Sequence, residues 1–149
     1  TLASDVALFD STWSLPATNL TVLTPFGVDP TDIANAAGWS GETTLDVDWS
    51  HAVAPGAKIE LVVAKSNNDS DILDATQYAI DHNLGDVISQ SFGEAEQCMA
   101  STDLTRQHAL FARAVAKGIT LFASAGDDGA AQPTCDGSDL MKAASTPSS

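Results

Sequence analysis

GETTLDVDWSHAVAPGAKIELVVA, residues 41–64, decides the fold class. Its first half has helical spacing: Leu45, Trp49, Ala52 and Val53 fall in one arc at about 100° per residue. Ser40 or Gly41 opens this helix, it runs to about Ala52, and Pro55-Gly56 stops it. Lys58 to Ala64 is then a short β-branched run, the pattern of a buried strand. Glu42 and Asp46 stand four residues apart, about one turn, so both carboxyls share a helix face. Like charges at that spacing cost an isolated helix a few tenths of a kcal/mol. The periodicity puts Glu42 inside the apolar arc and Asp46 at its edge, with Asp48 and His51 pointing away. Two acids are thus expected toward the core side of their own helix.

The alternation continues on both sides. Upstream, Ser4 to Thr12 fits a short helix capped by Ser4 or Asp5 and ended at Leu15-Pro16. Leu20 to Leu23 fits a short strand, and Pro25, Gly27, Pro30 and Gly38 punctuate a loop. No chemistry is visible in residues 1–38. Downstream, Asn67-Asn68-Asp69-Ser70-Asp71 lacks the central Gly and terminal Glu of a calcium loop and reads as a turn capping a helix to about His82. Asp86 to Ser91 is a strand and Gly93 to Thr102 a loop. Ser101 or Thr102 caps a helix whose stripe is Leu104, His108, Phe111 and Val115, making His108 a core histidine. Lys117-Gly118 ends that helix, Ile119 to Ser124 is a strand, and the residues from Ala125 on are Gly-, Ser-, Asp- and Pro-rich loop.

Helices alternating with near-continuously apolar strands predict an α/β fold with a parallel sheet covered on both faces. Ligands bind such sheets beyond the carboxyl ends of the strands. Two loops of small and polar residues leave those ends, Ser91-Phe92-Gly93-Glu94 and Ala125-Gly126-Asp127-Asp128-Gly129. Cys98 lies in the first loop and Cys135 in the second, so these two cysteines, the chain's whole complement, fall at one edge and are placed to form a disulfide. That bond implies an oxidising compartment.

Composition bounds the partners. The chain has 149 residues, 44% of them hydrophobic, enough for one domain with a core. The net charge of −14 with only six Lys and Arg leaves no basic footprint for nucleic acid or an anionic membrane. No apolar run approaches the roughly 20 residues of a membrane span. The acidity reads as solubility or as acid tolerance, since protonated carboxyls stop repelling one another near pH 4. The start has no initiator Met and no signal-peptide pattern, so the chain reads as cut from a longer precursor.

From the residues alone, the Glu42/Asp46 pair has three readings: a first-turn acid on the helix dipole with a partly exposed neighbour, a carboxyl pair sharing a proton and able to act as general base, or half of a metal site. No His or Cys stands at ligand spacing to support the last. Gly126-Asp127-Asp128-Gly129 is either a tight turn or an acid presented at the ligand edge. No Ser-His pair, phosphate loop or zinc spacing is present.

Three blocks together resemble the sedolisins, the serine-carboxyl peptidases. Glu42-Thr-Thr-Leu-Asp46 with the following Ala54-Pro55-Gly56-Ala57 resembles their Glu-x-x-x-Asp helix and turn. Ser89-Gln-Ser91-Phe-Gly93-Glu-Ala-Glu96 is similar to their Ser-x-Ser-x-Gly-x-x-Glu block, and Gly118 to Gly129 to their strand leading into Gly-Asp-x-Gly. The tail Ala143 to Ser149 resembles the Pro-Ala-Ser-x-Pro segment that follows. The likeness covers residues 39–149, with 1–38 as an N-terminal flank, and implies one partial catalytic domain of subtilisin-like fold.

The resemblance implies a role at each matching position. Glu42 is the general base that takes the proton of the nucleophilic serine, and Asp46 hydrogen-bonds and orients it. Asp127 is protonated and donates to the oxyanion. Ser91, Phe92 and Gly93 line the substrate-binding edge. Asp128 stands at the family's variable position and carries no role. The family's nucleophile lies in a Ser-Gly-Thr-Ser block, and its calcium site later still; neither pattern occurs in these 149 residues. The family's long first strand has no counterpart before Glu42 either.

The implied protein is a secreted, acid-acting endopeptidase or tripeptidyl peptidase. Its partners are a peptide or protein substrate, a propeptide and the rest of its own catalytic domain. This piece is expected to be inactive alone and to bind no metal or other cofactor. The alternatives are a non-catalytic sedolisin-like interaction domain and a glycosidase using Glu42 with Asp127.

Overall fold

A computed structural model describes residues 2–30 and 38–149. The loop expected between Pro25 and Gly38 lies partly outside these residues. The chain divides into two units, Thr1–Ala75 and Thr76–Ser149, with the division falling inside a helix that spans Asp69–Asp81.

In the first unit, α1 (Leu2–Trp13) starts ahead of the expected caps, so Ser4 and Asp5 lie inside its first turn. It ends where Ser14 takes φ +55 and Leu15 N–H returns to the Asp10 carbonyl at 2.9 Å. The Asp10 carboxylate accepts from the backbone N–H and the hydroxyl of Thr18, at 3.0 and 2.8 Å. These bonds fix the entry to β1 (Asn19–Leu23), one residue longer than the sequence pattern gave. β1 pairs in parallel with β2 (Lys58–Val62), Leu20 beside Ile59 and Val22 beside Leu61. A parallel pair needs a crossover, and α2 (Ser40–Val53) lies in it. α2 opens at Ser40, as expected, with Trp39 in the N-cap position and no side-chain cap bond. The helix spanning the unit boundary is α3 (Asp69–Asp81), and its Leu73 is buried.

In the second unit, β3 (Val87–Gln90) pairs in parallel with β5 (Thr120–Ala123), Val87 beside Thr120 and Gln90 beside Ala123. The crossover is α4 (Ser101–Ala116), opened by Ala100 and not by Ser101 or Thr102. It closes at Gly118, whose φ of +81 lets Ile119 N–H reach the Ala114 carbonyl at 2.9 Å. Lys117 donates to the Ile80 carbonyl at 2.6 Å, and Arg113 pairs with Asp81. The core of this unit is Ile80, Ala95, Leu110, Ala114 and Ile119. The two regions read as loop also carry strands: β4 (Glu94–Ala95) pairs antiparallel with β8 (Ser145–Thr146), and β6 (Ala131–Pro133) with β7 (Leu140–Lys142).

The α/β class with parallel pairing is as expected, but three burial expectations are not met. The strands are not covered on both faces: Val87 is 57% and Phe122 61% exposed. On α4 the buried stripe is Gln107, Leu110 and Ala114, and His108 is exposed. Gln107 turns inward because its Oε1 accepts from the Thr146 hydroxyl at 2.6 Å, a buried bond across 39 residues. On α2 the buried residues are Val47, Asp48 and His51, while Leu45, Trp49 and Val53 are 50%, 60% and 81% exposed. Glu42 and Asp46 do share a face with that apolar arc, but it is the outer face, about half a turn from the core side. Among the described residues no helix is long and apolar enough to cross a membrane.

Candidate active site

α2 carries the acid pair. Glu42 lies in its first turn and Asp46 one turn later, both half-buried. An acid in the first turn faces the positive end of the helix dipole, which offsets part of the repulsion between neighbouring carboxylates.

The opposite face of α2 is anchored by His51, which has no exposed surface. Its Nε2 lies 2.8 Å from the Pro16 carbonyl and 3.4 Å from Asp10 Oδ1. A carbonyl only accepts, so Nε2 carries the proton. The other nitrogen, Nδ1, is buried with no hydrogen-bond partner, as are Asp10 Oδ1 and Asp48 Oδ1. Burial, followed by the nearby negative charges of Asp10 and Asp5, raises the Asp48 carboxyl above its ordinary value, and His51 works the other way. These contacts tie the inward-facing polar side of α2 to the Pro16 carbonyl and to Asp10. His51, expected on the outside, and Asp10, in a region with no visible chemistry, are thus the structural anchors of the helix that holds Glu42. No local pattern pairs His51 with Pro16, 35 residues away.

The second unit gathers the rest. β3 and β5 are neighbours in register, and Ser124 N–H continues the ladder to the Gln90 carbonyl at 3.1 Å. Ser91-Phe92-Gly93 and Ala125-Gly126-Asp127 therefore leave adjacent strands at one carboxyl edge. Gly93 is tightly approached: a Cβ there would lie 2.5 Å from Ser145 Oγ and 2.9 Å from the Thr146 carbonyl. Only glycine fits, and the strand pairing of Glu94 and Ala95 with Ser145 and Thr146 depends on it. Ser91 and Phe92 are half-buried, and Asp127 is exposed.

Gly126 has φ +88, and a Cβ on it would run into the side-chain amide of Gln132, whose Cδ and Oε1 would lie 3.2 Å away. Gln132 is 5% exposed and donates from Nε2 to the Ala125 carbonyl at 3.5 Å. No local sequence pattern singles out Gln132.

Cys98 and Cys135 form the expected disulfide, with Cα atoms 5.2 Å apart. The bridge ties the segment after β4 to the turn of the β6–β7 hairpin. That turn is built on Asp136, whose carboxylate accepts from Thr134 Oγ1 at 2.6 Å and from Ser138 Oγ and N–H at 2.7 and 3.1 Å. These bonds, that from Thr134 first, hold the Asp136 carboxyl down at about 2.

Among the described residues no group of three or more His, Cys, Asp or Glu is placed to hold a metal ion.

Comparisons with known proteins show the family. The model of the subtilase family matches residues 33–148. Kumamolisin of Bacillus sp. (strain MN-32) is 34% identical over 102 residues, which is 67% of this chain and 18% of kumamolisin. The solved structure of Pseudomonas sedolisin, a serine-carboxyl proteinase complexed with two molecules of pseudo-iodotyrostatin, superposes with a TM-score of 0.78 at 25% identity. That match covers 98% of this chain and 41% of the sedolisin chain. The chain thus spans less than half the length of either relative, and with these matches added to its parallel α/β pairs it belongs to the subtilase family, as a sedolisin-like, kumamolisin-like member.

Proposed function

We propose that these residues are the base-and-oxyanion portion of the catalytic domain of an acid-acting serine-carboxyl peptidase. The observation that carries the reading is the meeting of Ser91-Phe92-Gly93 and Gly126-Asp127 at the carboxyl edge of the β3–β5 pair, in a chain matched to the subtilase family. An extended peptide lies along the Ser91–Gly93 edge. Glu42 accepts the proton of the attacking serine hydroxyl, and Asp46 orients Glu42. As the scissile carbonyl becomes tetrahedral, Asp127 donates a hydrogen bond to its oxyanion. The carboxyl group of Asp127 can donate only while protonated, and a carboxylate base is effective well below pH 7, so the two requirements meet in acid.

The nucleophile belongs to a Ser-Gly-Thr-Ser segment that these 149 residues do not include. The chain alone is therefore inactive, and works as part of one catalytic domain with that segment. The Cys98–Cys135 bond and the acidic composition favour secretion into an oxidising, acidic milieu.

The test is peptide hydrolysis near pH 4 by a peptidase carrying both this chain and the downstream segment. Glu42→Ala and Asp127→Ala should each lower kcat by about 10²-fold or more, and the 149-residue chain alone should cleave nothing. Full activity in Glu42→Ala removes the assigned base, and cleavage by the chain alone refutes the need for a downstream serine.

A further inference from the structure

We propose that Gln132 is a positioning residue for Asp127, acting through the backbone of Gly126. The inference rests on the oxyanion role proposed for Asp127. Asp127 is exposed and follows a glycine with positive φ. An oxyanion donor must be held in place before charge develops, because a donor that has to reorient loses much of its effect. The restraint on this loop comes from a strand. Gln132 sits in the middle of β6, opposite Met141 of β7, and its buried amide lies against the Cα of Gly126 while bonding the Ala125 carbonyl. The two residues ahead of Asp127 are thereby held from one side.

β6 is itself held twice, by its pairing with β7 and by the disulfide from Cys135 to Cys98. The route from the covalent tether to Asp127 is therefore Cys135, β6, Gln132, Gly126, Asp127, all within the second unit. The contact also gives Gly126 a second reason to be glycine besides its φ: a β-carbon would displace the amide that holds the loop.

The experiment compares Gln132→Ala, Gln132→Met, Gln132→Glu and Asp127→Ala in the peptidase carrying this chain and its downstream segment. kcat and KM are read on a peptide substrate from pH 3 to pH 7, with thermal melting as the folding control. Gln132→Ala and Gln132→Met should each lose kcat about tenfold or more, as slight misplacement of a catalytic group does, with KM unchanged within about twofold. Gln132→Met keeps the volume and loses the amide, so it decides the matter if Gln132→Ala fails to fold. Gln132→Glu brings a negative charge near Asp127, favours its protonated form and should move the alkaline limb of kcat to higher pH. That shift reports only how near position 132 lies to the carboxyl of Asp127; the loss of kcat at unchanged KM and unchanged melting in Gln132→Met is what a purely structural role does not produce. If Asp127→Ala loses activity while Gln132→Met keeps kcat within twofold, Gln132 has no positioning role. If Asp127→Ala keeps full activity, the oxyanion assignment falls, and this inference with it.

Discussion

Removing the Cys98–Cys135 bond should destabilise the second unit by about 4 kcal/mol. The two cysteines are 37 residues apart in sequence. In the chain-entropy model, closing such a loop removes about 13 cal/mol/K from the unfolded ensemble, or about 4 kcal/mol at 25 °C. The native-state loss is smaller. Cys135 is exposed and Cys98 only half-buried, so truncating both to Ala forfeits less than about 1 kcal/mol of apolar burial. The loop term therefore dominates, and for a unit of the size of Thr76–Ser149 it corresponds to a Tm drop of roughly 15–30 °C.

The assay is urea unfolding of the oxidised chain and of Cys98→Ala/Cys135→Ala, followed by circular dichroism. An unfolded-state mechanism makes a second demand, because an untethered chain exposes more surface. The m-value should rise in the double variant along with the fall in midpoint. A loss below about 1 kcal/mol, or a large loss with an unchanged m-value, would refute the reasoning and place the effect of the bond in native packing.

Two further predictions concern carboxyl groups. The folded-state value of Asp48 is raised above its ordinary 3.8, so the folded chain holds that proton more tightly than the unfolded one. The resulting stability is fully present below pH 3.8 and is lost as pH rises through the folded value. Asp48→Asn should accordingly raise Tm at pH 7 and leave it nearly unchanged at pH 3; an equal gain at both would show that ionisation of Asp48 is not the cause. The Asp136 case has the opposite sign. Its carboxyl is held at about 2, so it favours the folded hairpin turn above the ordinary 3.8, and that contribution fades only as pH falls through about 2. Thr134→Ala should shift the Asp136 titration upward, read by carboxyl NMR, and an unmoved titration would sink the assignment of the Thr134 hydroxyl as the main cause.

Local chemistry determined a good part of this molecule. The alternation of helical and strand spacing from Ser40 to Ser124 is a property of neighbouring residues, and the parallel pairs follow from it. Gly118 ends α4 because only its own φ is involved. The placing of Cys98 and Cys135 at one edge needed no more than the strand order, and Gly93 and Gly126-Asp127 announced themselves as turn chemistry at that edge. The motif order was enough to point to the sedolisins.

What the tertiary structure decided is which face of each helix goes inside, and which side chains brace the site. On α2 the apolar arc pointed one way, and the burial of His51 against Pro16 and Asp10 turned the helix the other way. On α4 the bond from Thr146 drew in Gln107 and left His108 in water. Gln132 is indistinguishable in sequence from any polar residue of a short strand, and only its packing on Gly126 singles it out. The physical reason is common to all three. Most buried polar groups take a hydrogen-bond partner, and that partner can be far away in the chain. Hydrophobic periodicity measures what a segment prefers by itself and carries no information about such long-range partners.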